Sequence, residues 1–271
     1  MNEAESGRFA GVARLYGAEG LARLRRAHVA IVGIGGVGSW AVEALARSGI
    51  GALTLVDLDE VCVTNINRQI HALDDTVGRA KVAVMAERVR SINPDCRVTA
   101  VQEFFTEANG ESLLEAFAGS GGDGVLHIID AIDSVTHKTL LIALCRQREI
   151  PLVVCGGAGG RRDATAVRMA DLADASHDRL LTALRRRLRT EHGFPAAGQP
   201  MGVACVYSPE SPVLLEMPAT ACAADDSTDA GQPPRLNCDW GYGSAAFVTG
   251  AFGFAAAAQV TRQIAGAAGA G

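Results

Sequence analysis

A glycine-rich loop is the segment of this sequence whose composition best suits phosphate binding. It reads Gly-Ile-Gly-Gly-Val-Gly-Ser over residues 33–39, follows an apolar strand pattern at His28–Val32 and opens a helical pattern. Glycines permit a tight turn and let backbone N–H groups approach phosphate oxygens, while the helix N-terminus adds a partial positive charge. The loop therefore predicts a nucleotide site. Taken alone, it would suggest a dinucleotide dehydrogenase.

Residues after the second predicted strand favour a different ligand. Asp57 ends that strand about twenty residues beyond the loop, where dehydrogenases and adenylating enzymes both place a carboxylate on the ribose hydroxyls. The segment Asp59–Gln69 then supplies the guanidinium of Arg68, and Lys81 follows at the start of the next helix. Two cations on the phosphate side suit a triphosphate better than the less charged pyrophosphate of NAD. The sequence therefore favours ATP.

A further acidic strand end lies at Asp130-Ala131-Ile132-Asp133-Ser134. Open α/β folds bind ligands at the carboxyl edge of the sheet, and carboxylate oxygens there could hold Mg²⁺ against the phosphates. The alternative is that Asp133 and Ser134 cap the following helix, for which both residue types are favoured. Beside Arg68 and Lys81 we favour the metal, and we predict Asp133 as its ligand.

Alternating strand and helix patterns must position these residues. Helical stretches begin near Gly36, Gly78, Asn109 and Ser134, and short β-branched apolar runs separate them. This alternation is typical of βαβ units and predicts an α/β fold with a doubly wound, mostly parallel sheet of Rossmann-like type. The candidate strands are His28–Gly33, Ala52–Asp57, Arg97–Gln102, Val125–Asp130 and Pro151–Cys155.

The pattern becomes less regular after Cys155 and predicts an irregular C-terminal extension ending in an Ala/Gly-rich helix. Its candidate elements are a strand at Thr165–Met169, a helix at Ser176–Thr190 with one leucine face, and a strand at Val203–Tyr207. No composition shift forces a second domain. We therefore expect a single domain over residues 1–271, with an N-terminal helical segment (1–27), a nucleotide-binding core (28–157) and a C-terminal part (158–271).

No charged residue lies between Asp239 and Arg262, a stretch long enough to span a bilayer. Because it is mostly Ala and Gly, few of its residues have large favourable insertion energies. We interpret it as a buried helix, with a subunit interface as one location. Peripheral or C-terminal membrane contact is the lesser alternative.

Composition narrows the class of protein. The chain has 271 residues, 48% of them hydrophobic, and a formal net charge of -5, which does not suggest wholesale nucleic-acid binding. Its seven cysteines are scattered and never form a CxxC pair, which fits a reducing cytosol and argues against a tetrathiolate zinc site. The charged N-terminus lacks an apolar signal-peptide core. We expect a cytoplasmic protein without zinc.

In order, these motifs resemble the ubiquitin-activating-enzyme-like (ThiF/MoeB/HesA) adenylating superfamily. The shared order is GxGGxGS, an Asp-x-Asp strand end, NxNRQ, GxxK and DxxDS, which covers Gly33 to Ser134. Within the superfamily, the chain is similar to the tRNA threonylcarbamoyladenosine dehydratases over nearly its whole length. The stretches that carry this similarity are Arg14–Gly17, Gly33–Trp40, Asn67–Ala72 and Gly156–Gly160.

The resemblance implies ATP-dependent dehydration of threonylcarbamoyladenosine next to the tRNA anticodon. The substrate carboxylate would attack the α-phosphate of ATP, giving an acyl adenylate and pyrophosphate, and an internal nitrogen or oxygen would then close a ring and expel AMP. Arg68, Lys81 and Mg²⁺ at Asp133 are the implied catalytic groups. The other implied nucleotide contacts are the glycines Gly33, Gly35 and Gly36, the ribose ligand Asp57, and Asp59, Asn65 and Gln69.

Because the nucleophile belongs to the substrate, the resemblance requires no cysteine chemistry. The alternative for Cys205, Cys222 and Cys238 is the thioester-forming role that a cysteine has in ubiquitin-activating relatives. A free cysteine is more often a small buried hydrophobe than a nucleophile. We therefore expect none of these three thiols to react.

The resemblance also implies partners. These are tRNA carrying threonylcarbamoyladenosine, a second copy of the chain in a homodimer, and sulfur-transfer proteins of the cysteine desulfurase type. Whether a monovalent cation also binds is left open.

Relatives send an arginine from an N-terminal Arg-Phe-x-Arg motif into the ATP site of the partner subunit. Here that motif ends in Gly11, which leaves Arg8 and Arg14 as alternatives. The predicted tRNA contacts are Arg161, Arg162, Arg185, Arg186, Arg187 and Arg189.

Three other functions stay open at this point. An adenylyltransferase for a ubiquitin-like or sulfur-carrier protein would commonly bring a zinc site that the cysteine pattern lacks. An NAD-dependent oxidoreductase is disfavoured by Arg68, Lys81 and Asp133. The third alternative is a nucleotide-binding scaffold whose partner supplies the activity.

Overall fold

The computed structural model describes residues 7–120, 125–214 and 242–266, and within these ranges seven strands form one sheet. The strands are β1 (His28–Val32), β2 (Ala52–Val56), β3 (Arg97–Val101), β4 (Leu126–Asp130), β5 (Leu152–Cys155), β6 (Arg168–Asp171) and β7 (Ala204–Tyr207). Their order is β3-β2-β1-β4-β5-β7-β6, and every pair is parallel except β6 with β7. The predicted mostly parallel α/β fold is confirmed.

Helices cover both faces of this sheet. In the described ranges they are α1 (Ala10–Arg26), α2 (Gly38–Arg47), α3 (Lys81–Ile92), α4 (Gly110–Ser120), α5 (Val135–Gln147), α6 (Arg179–His192) and α7 (Ala246–Ala265). Side chains of β1 alternate between the faces: Val29 and Ile31 pack with α2, α3 and α7, whereas Ala30 and Val32 pack with α4 and α5. Burial on both faces explains why this strand is a continuous apolar run.

Three predicted boundaries differ from the structure by three residues. The helix expected at Ser176–Thr190 is Arg179–His192, capped by the side chain of Asp178, which accepts the N–H of Leu181. The helix expected near Gly78 begins at Lys81, because Gly78 and Lys81 donate their N–H groups to the carbonyls of Val61 and Asp59. The strand expected at Thr165–Met169 is partly wrong, since residues 164–166 form a 3₁₀ turn and the strand is Arg168–Asp171.

The last helix packs against the start of the nucleotide-binding core. A Cβ added to Gly253 would lie 2.5 Å from the carbonyl oxygen of Val37, so the small residue permits close approach of α7 to α2. The interpretation of this segment as a buried helix is confirmed for the face that carries Val248, Phe252 and Val260. In the described part of the chain, no helix has the length and apolarity needed to cross a membrane.

The turn between β1 and α2 is closed by contacts that only glycine permits. Gly33 has a φ of 93°, and a Cβ on it would lie 2.7 Å from the carbonyl oxygen of Ala131. A Cβ on Gly38 would lie 1.8 Å from the carbonyl oxygen of Gly33. Since both obstacles are backbone atoms, neither can rotate away.

We therefore expect Gly38→Ala to lower the free energy of unfolding by about 3 kcal/mol or more, as overpacking against backbone does. Gly11→Ala is the matched control, because Gly11 lies in α1 with open space around its Cβ position. Alanine there should be neutral or stabilise by up to about 1 kcal/mol. Urea unfolding measures both, and equal midpoints for the two variants would contradict the steric argument.

Candidate active site

The carboxylate of Asp57 ties two loops together at the end of β2. Its Oδ2 accepts the backbone N–H of Ile34 at 2.6 Å, and its Oδ1 accepts that of Asp59 at 2.9 Å. Burial raises the pKa of Asp57, while the charge of Lys81 and the two N–H donors act in the opposite direction. Asp57 thus fixes the glycine loop, and its predicted contact with ribose stays a prediction.

Lys81 is a buried cation at the N-terminus of α3. Its Nζ lies 2.8 Å from Oδ2 of Asp59, and only 7% of its side chain is exposed, against 53% for Asp59. The backbone N–H of Lys81 also donates to the carbonyl of Asp59. The lysine is therefore held in place beside the carboxyl end of β2, where the sequence predicted it.

Arg68 lies on the loop between β2 and α3, and the rest of the fold holds its backbone. Its carbonyl accepts hydrogen bonds from Nε1 of Trp40 at 3.0 Å and from Oγ1 of Thr249 at 3.1 Å. Its Nη1 donates to the carbonyl of Thr64 at 2.6 Å. The sequence analysis did not predict that Trp40 and Thr249 hold the backbone of Arg68, although Trp40 ends the glycine-rich stretch Gly33–Trp40.

An open cavity of about 580 Å³ adjoins the loop and is lined by Val63, Thr64, Ile66, Asn67, Arg68, Tyr242, Gly243 and Ser244.

The two predicted amide ligands on this loop differ in their surroundings. Asn65 is buried, and its Oδ1 accepts the N–H of Cys62 at 3.2 Å, so it shapes the turn. Gln69 is also buried, and its Nε2 lies 4.0 Å from the place a Cβ on Gly35 would occupy. Its Oε1 has no hydrogen-bond partner within the described residues. A buried amide oxygen is normally bonded, so Gln69 suits a ligand contact beside the glycine loop.

A buried ion pair that the sequence analysis missed lies at the end of β4. Nζ of Lys138 is 2.8 Å from Oδ1 of Asp130, and both side chains are fully buried. Oδ1 also accepts the N–H of Ile132 at 3.0 Å. Burial raises the pKa of Asp130, and the charge of Lys138 acts against it. The pair fixes the turn that leads to Asp133. Lys138 lies among the polar residues Thr136, His137 and Thr139 in the first turn of α5, so the local sequence gives no signal that it is buried.

Asp133 follows this turn and keeps access to solvent. The surrounding protein raises its pKa, chiefly by desolvation, and Asp59 raises it further, whereas Lys138 and Lys81 lower it. The loops after β2 and β4 leave the same edge of the sheet, because both strands pair in parallel with β1. Ser134 occupies the N-cap position of α5 without accepting a cap hydrogen bond, so the capping alternative is wrong for its hydroxyl.

The side chains at the carboxyl edge of the sheet fit a Mg²⁺ ion that is bound together with substrate phosphates. Within the described residues, no group of three or more His, Cys, Asp or Glu side chains could hold a metal ion. Mg²⁺ usually binds through one or two carboxylates together with substrate phosphates. A single accessible carboxylate at Asp133 fits that mode, and its role as Mg²⁺ ligand stays a prediction.

Three cysteines, two on strands of the sheet and one on α5, are poor nucleophiles. Cys205 is fully buried, and burial raises the pKa of its thiol. Burial likewise raises the pKa of Cys145 and of Cys155 to about 12. Since the thiolate is the reactive form, these thiols are inert near pH 7. Cys222 and Cys238 lie outside the described residues.

The surface role predicted for Arg161 is wrong. Only 4% of this residue is exposed, and its guanidinium donates to the carbonyls of Gly157 at 3.1 Å, His177 at 3.0 Å and Glu210. It also lies 3.8 Å from Oδ2 of Asp178. An arginine that satisfies buried carbonyls has no free charge for RNA, and here it joins the loop after β5 to its neighbours.

The other predicted tRNA contacts are distributed over two segments. On α6, Arg185 donates to the carbonyl of Ala175, Arg187 to Glu191 and Thr136, and Arg189 to the carbonyl of Pro195. Arg162 and Arg186 are exposed. RNA binding by these five residues stays a prediction.

Residues 9–270 match the ThiF family, and the chain belongs to that family. The predicted superfamily is thereby confirmed. The chain is 48% identical over 265 residues to the tRNA threonylcarbamoyladenosine dehydratase of Escherichia coli (strain K12), covering 97% of this chain and 96% of that protein. It is 39% identical to the Bacillus subtilis (strain 168) protein of the same name, covering 82% and 83%.

A solved structure resembles the whole chain. It is the crystal structure of the E. coli tRNA N6-threonylcarbamoyladenosine dehydratase, TcdA, in complex with ATP. The TM-score is 0.82 and the sequence identity 45%, with 97% of this chain and 96% of that chain covered. The similarity therefore extends beyond the nucleotide-binding core into the C-terminal part.

The buried ion pair allows a direct test of what holds the β4 turn. We expect Lys138→Met to lower the free energy of unfolding by about 3–5 kcal/mol, because it leaves the charge of Asp130 buried and unpaired. The double variant Asp130→Asn/Lys138→Met removes both charges and should recover most of that loss. Urea unfolding of the parent, the single variants and the double variant gives the coupling free energy. Additive losses would contradict the pairing.

Proposed function

We propose that this chain is an enzyme that dehydrates threonylcarbamoyladenosine in tRNA at the expense of ATP. The observation that carries the proposal is 48% identity over 97% of the chain to a protein named for that reaction. The similarity includes the C-terminal part, where Thr249 of α7 bonds the backbone of Arg68.

The arrangement of charges suits attack on the α-phosphate. The substrate carboxylate bonds to that phosphorus, the bond to the β-phosphate oxygen breaks, and pyrophosphate leaves; ring closure within the substrate then expels AMP. Arg68 and Lys81 would stabilise the negative charge that develops on the leaving pyrophosphate. Mg²⁺, held by Asp133 when bound, would neutralise further phosphate charge. Gly33, Gly35, Gly36 and Gln69 would contact the nucleotide.

We further propose a homodimer. Exposed large apolar residues lie on α7 (Phe247, 62% exposed; Phe254, 48%) and on the loop after β2 (Val63, 64%; Ile66, 41%). Apolar side chains at such exposure favour a protein partner. Cytoplasmic location, sulfur-transfer partners and a monovalent cation stay predictions.

We expect Phe247→Glu to convert the dimer to a monomer, because the substitution places a carboxylate in an apolar interface. Sedimentation velocity of parent and variant measures the change. Glu111→Gln on α4 is a charge-change control. A parent that sediments as a monomer contradicts the dimer.

The activity is tested by incubating the protein with ATP, Mg²⁺ and tRNA that carries threonylcarbamoyladenosine, followed by mass analysis of the nucleosides. We expect loss of one water, dependent on ATP. Asp133→Ala should reduce the rate by about 10²–10³, as loss of an electrostatic catalytic group does. Asp95→Ala is the control, because that exposed residue precedes β3 at the opposite edge of the sheet. No mass change, with pyrophosphate exchange stimulated by a small carrier protein, would move the assignment to a carrier-protein adenylyltransferase.

A further inference from the structure

Three exposed arginines lie at the carboxyl edge of the sheet, the edge that carries the candidate site. Arg168 begins β6 and pairs with Tyr207, the last residue of β7. Arg162 donates its backbone N–H to the carboxylate of Glu210, just beyond that strand. Arg179 is the first residue of α6.

The position of Arg179 follows from its neighbour. Oδ2 of Asp178 accepts the N–H of Gly157 at 2.8 Å, two residues past the end of β5. Arg161 bridges the same region, because its guanidinium reaches the carbonyls of both His177 and Glu210. The segments that carry Arg162 and Arg179 are thereby locked side by side.

The guanidinium groups of Arg162, Arg168 and Arg179 make no hydrogen bond or ion pair with any described residue, and all three side chains are exposed. Neighbouring carboxylates, in contrast, accept protein N–H groups. Glu210 accepts those of Arg162 and Asp163, while Asp163 accepts that of Thr165. Among the described residues nothing pairs with these positive charges, which leaves them available to a ligand.

The arginines on α6 are arranged differently. Arg185 donates to the carbonyl of Leu172, whose own N–H bonds Val203 immediately before β7 begins. Arg185 therefore lies at the amino edge of the sheet, opposite to the site. Its neighbours Arg187 and Arg189 are bonded to protein oxygens.

We propose that Arg162, Arg168 and Arg179, named here the edge arginines, bind the phosphates of the tRNA strand that flanks the reacting nucleoside. The inference rests on the proposed function and names the surface that function uses. Neighbouring strands lie about 4.8 Å apart, so β6 is roughly 15 Å from the end of β4, where Asp133 lies. One stretch of RNA backbone can cover that distance while its modified base enters the site.

The test compares three variants of the full chain with the parent. The first carries Arg162→Gln, Arg168→Gln and Arg179→Gln. The second carries, on α6, Arg185→Gln, Arg186→Gln, Arg187→Gln and Arg189→Gln. The charge-matched control carries Arg26→Gln, Arg90→Gln and Arg262→Gln, all at exposed positions. For each protein, tRNA affinity is measured over a range of salt concentrations, together with ATP affinity and the melting midpoint.

The edge variant should bind tRNA about 100-fold more weakly in moderate salt, with a salt-dependence slope reduced by about two to three, because each lost phosphate contact removes counterion release. ATP affinity and melting should match the parent, since the substituted groups have no described protein partners. The control should bind tRNA as the parent does.

Two negative results have separate meanings. If the parent binds tRNA and the edge variant matches its affinity and slope, the proposed surface is overturned while the proposed function stands. The proposed surface is also overturned if the α6 variant loses tRNA binding while the edge variant keeps it. If the parent binds no tRNA carrying the modified nucleoside, the proposed function fails, and the surface fails with it.

Discussion

The backbone contact between the glycine turn and the segment after β4 is the constraint on which the candidate site depends. Gly33 and Gly38 leave no space for a Cβ, because the carbonyls of Ala131 and Gly33 occupy those positions. The glycine loop and the turn that leads to Asp133 therefore form one structural unit. A substitution that displaces the glycine loop must therefore also displace the turn after β4, and the reverse holds as well.

Two buried carboxylates hold this unit from opposite sides. Asp57 bonds the N–H groups of Ile34 and Asp59, and Asp130 bonds Lys138 and the N–H of Ile132. Each carboxylate costs free energy to bury, and each recovers it through donors that exist only in this arrangement. The site is thus preorganised by backbone and buried charge rather than by its exposed side chains.

The C-terminal helix α7 likewise holds the backbone of the loop that carries Arg68. Arg68 lies on a loop whose regular structure is limited to short 3₁₀ turns. Its carbonyl nevertheless accepts hydrogen bonds from α2 and α7, and the rings of Trp40 and Phe254 pack edge to face with centroids 5.8 Å apart. Without α7, the backbone of Arg68 would lose the hydrogen bond that it accepts from Thr249. This dependence gives a physical reason for similarity to the relatives over the entire chain.

The residues that the sequence could predict are those whose position follows from strand ends and motif order. Asp57, Lys81 and Asp133 lie at the same edge of the sheet because the carboxyl ends of parallel strands meet there, and their roles at the site stay predictions. Lys138 was missed because its partner is defined only by the turn of the chain after β4. Arg161 was misassigned because a long side chain can fold back onto carbonyls, and sequence does not record which way it turns.

The late start of α3 has a similar origin. Residues 78–80 resemble a helix N-terminus in composition, but hydrogen bonds to residues 59–61 hold them in a bridge. That pairing joins segments about twenty residues apart, and local propensity cannot anticipate it.

The central claim is that the substrate carboxylate becomes an acyl adenylate. Its most direct test uses tRNA whose threonylcarbamoyl carboxylate carries ¹⁸O, incubated with the protein, ATP and Mg²⁺. Attack on the α-phosphate followed by ring closure transfers one labelled oxygen to AMP, so mass spectrometry should find singly labelled AMP in proportion to dehydrated nucleoside. Dehydrated nucleoside accompanied by unlabelled AMP, or by ADP and phosphate, would contradict it.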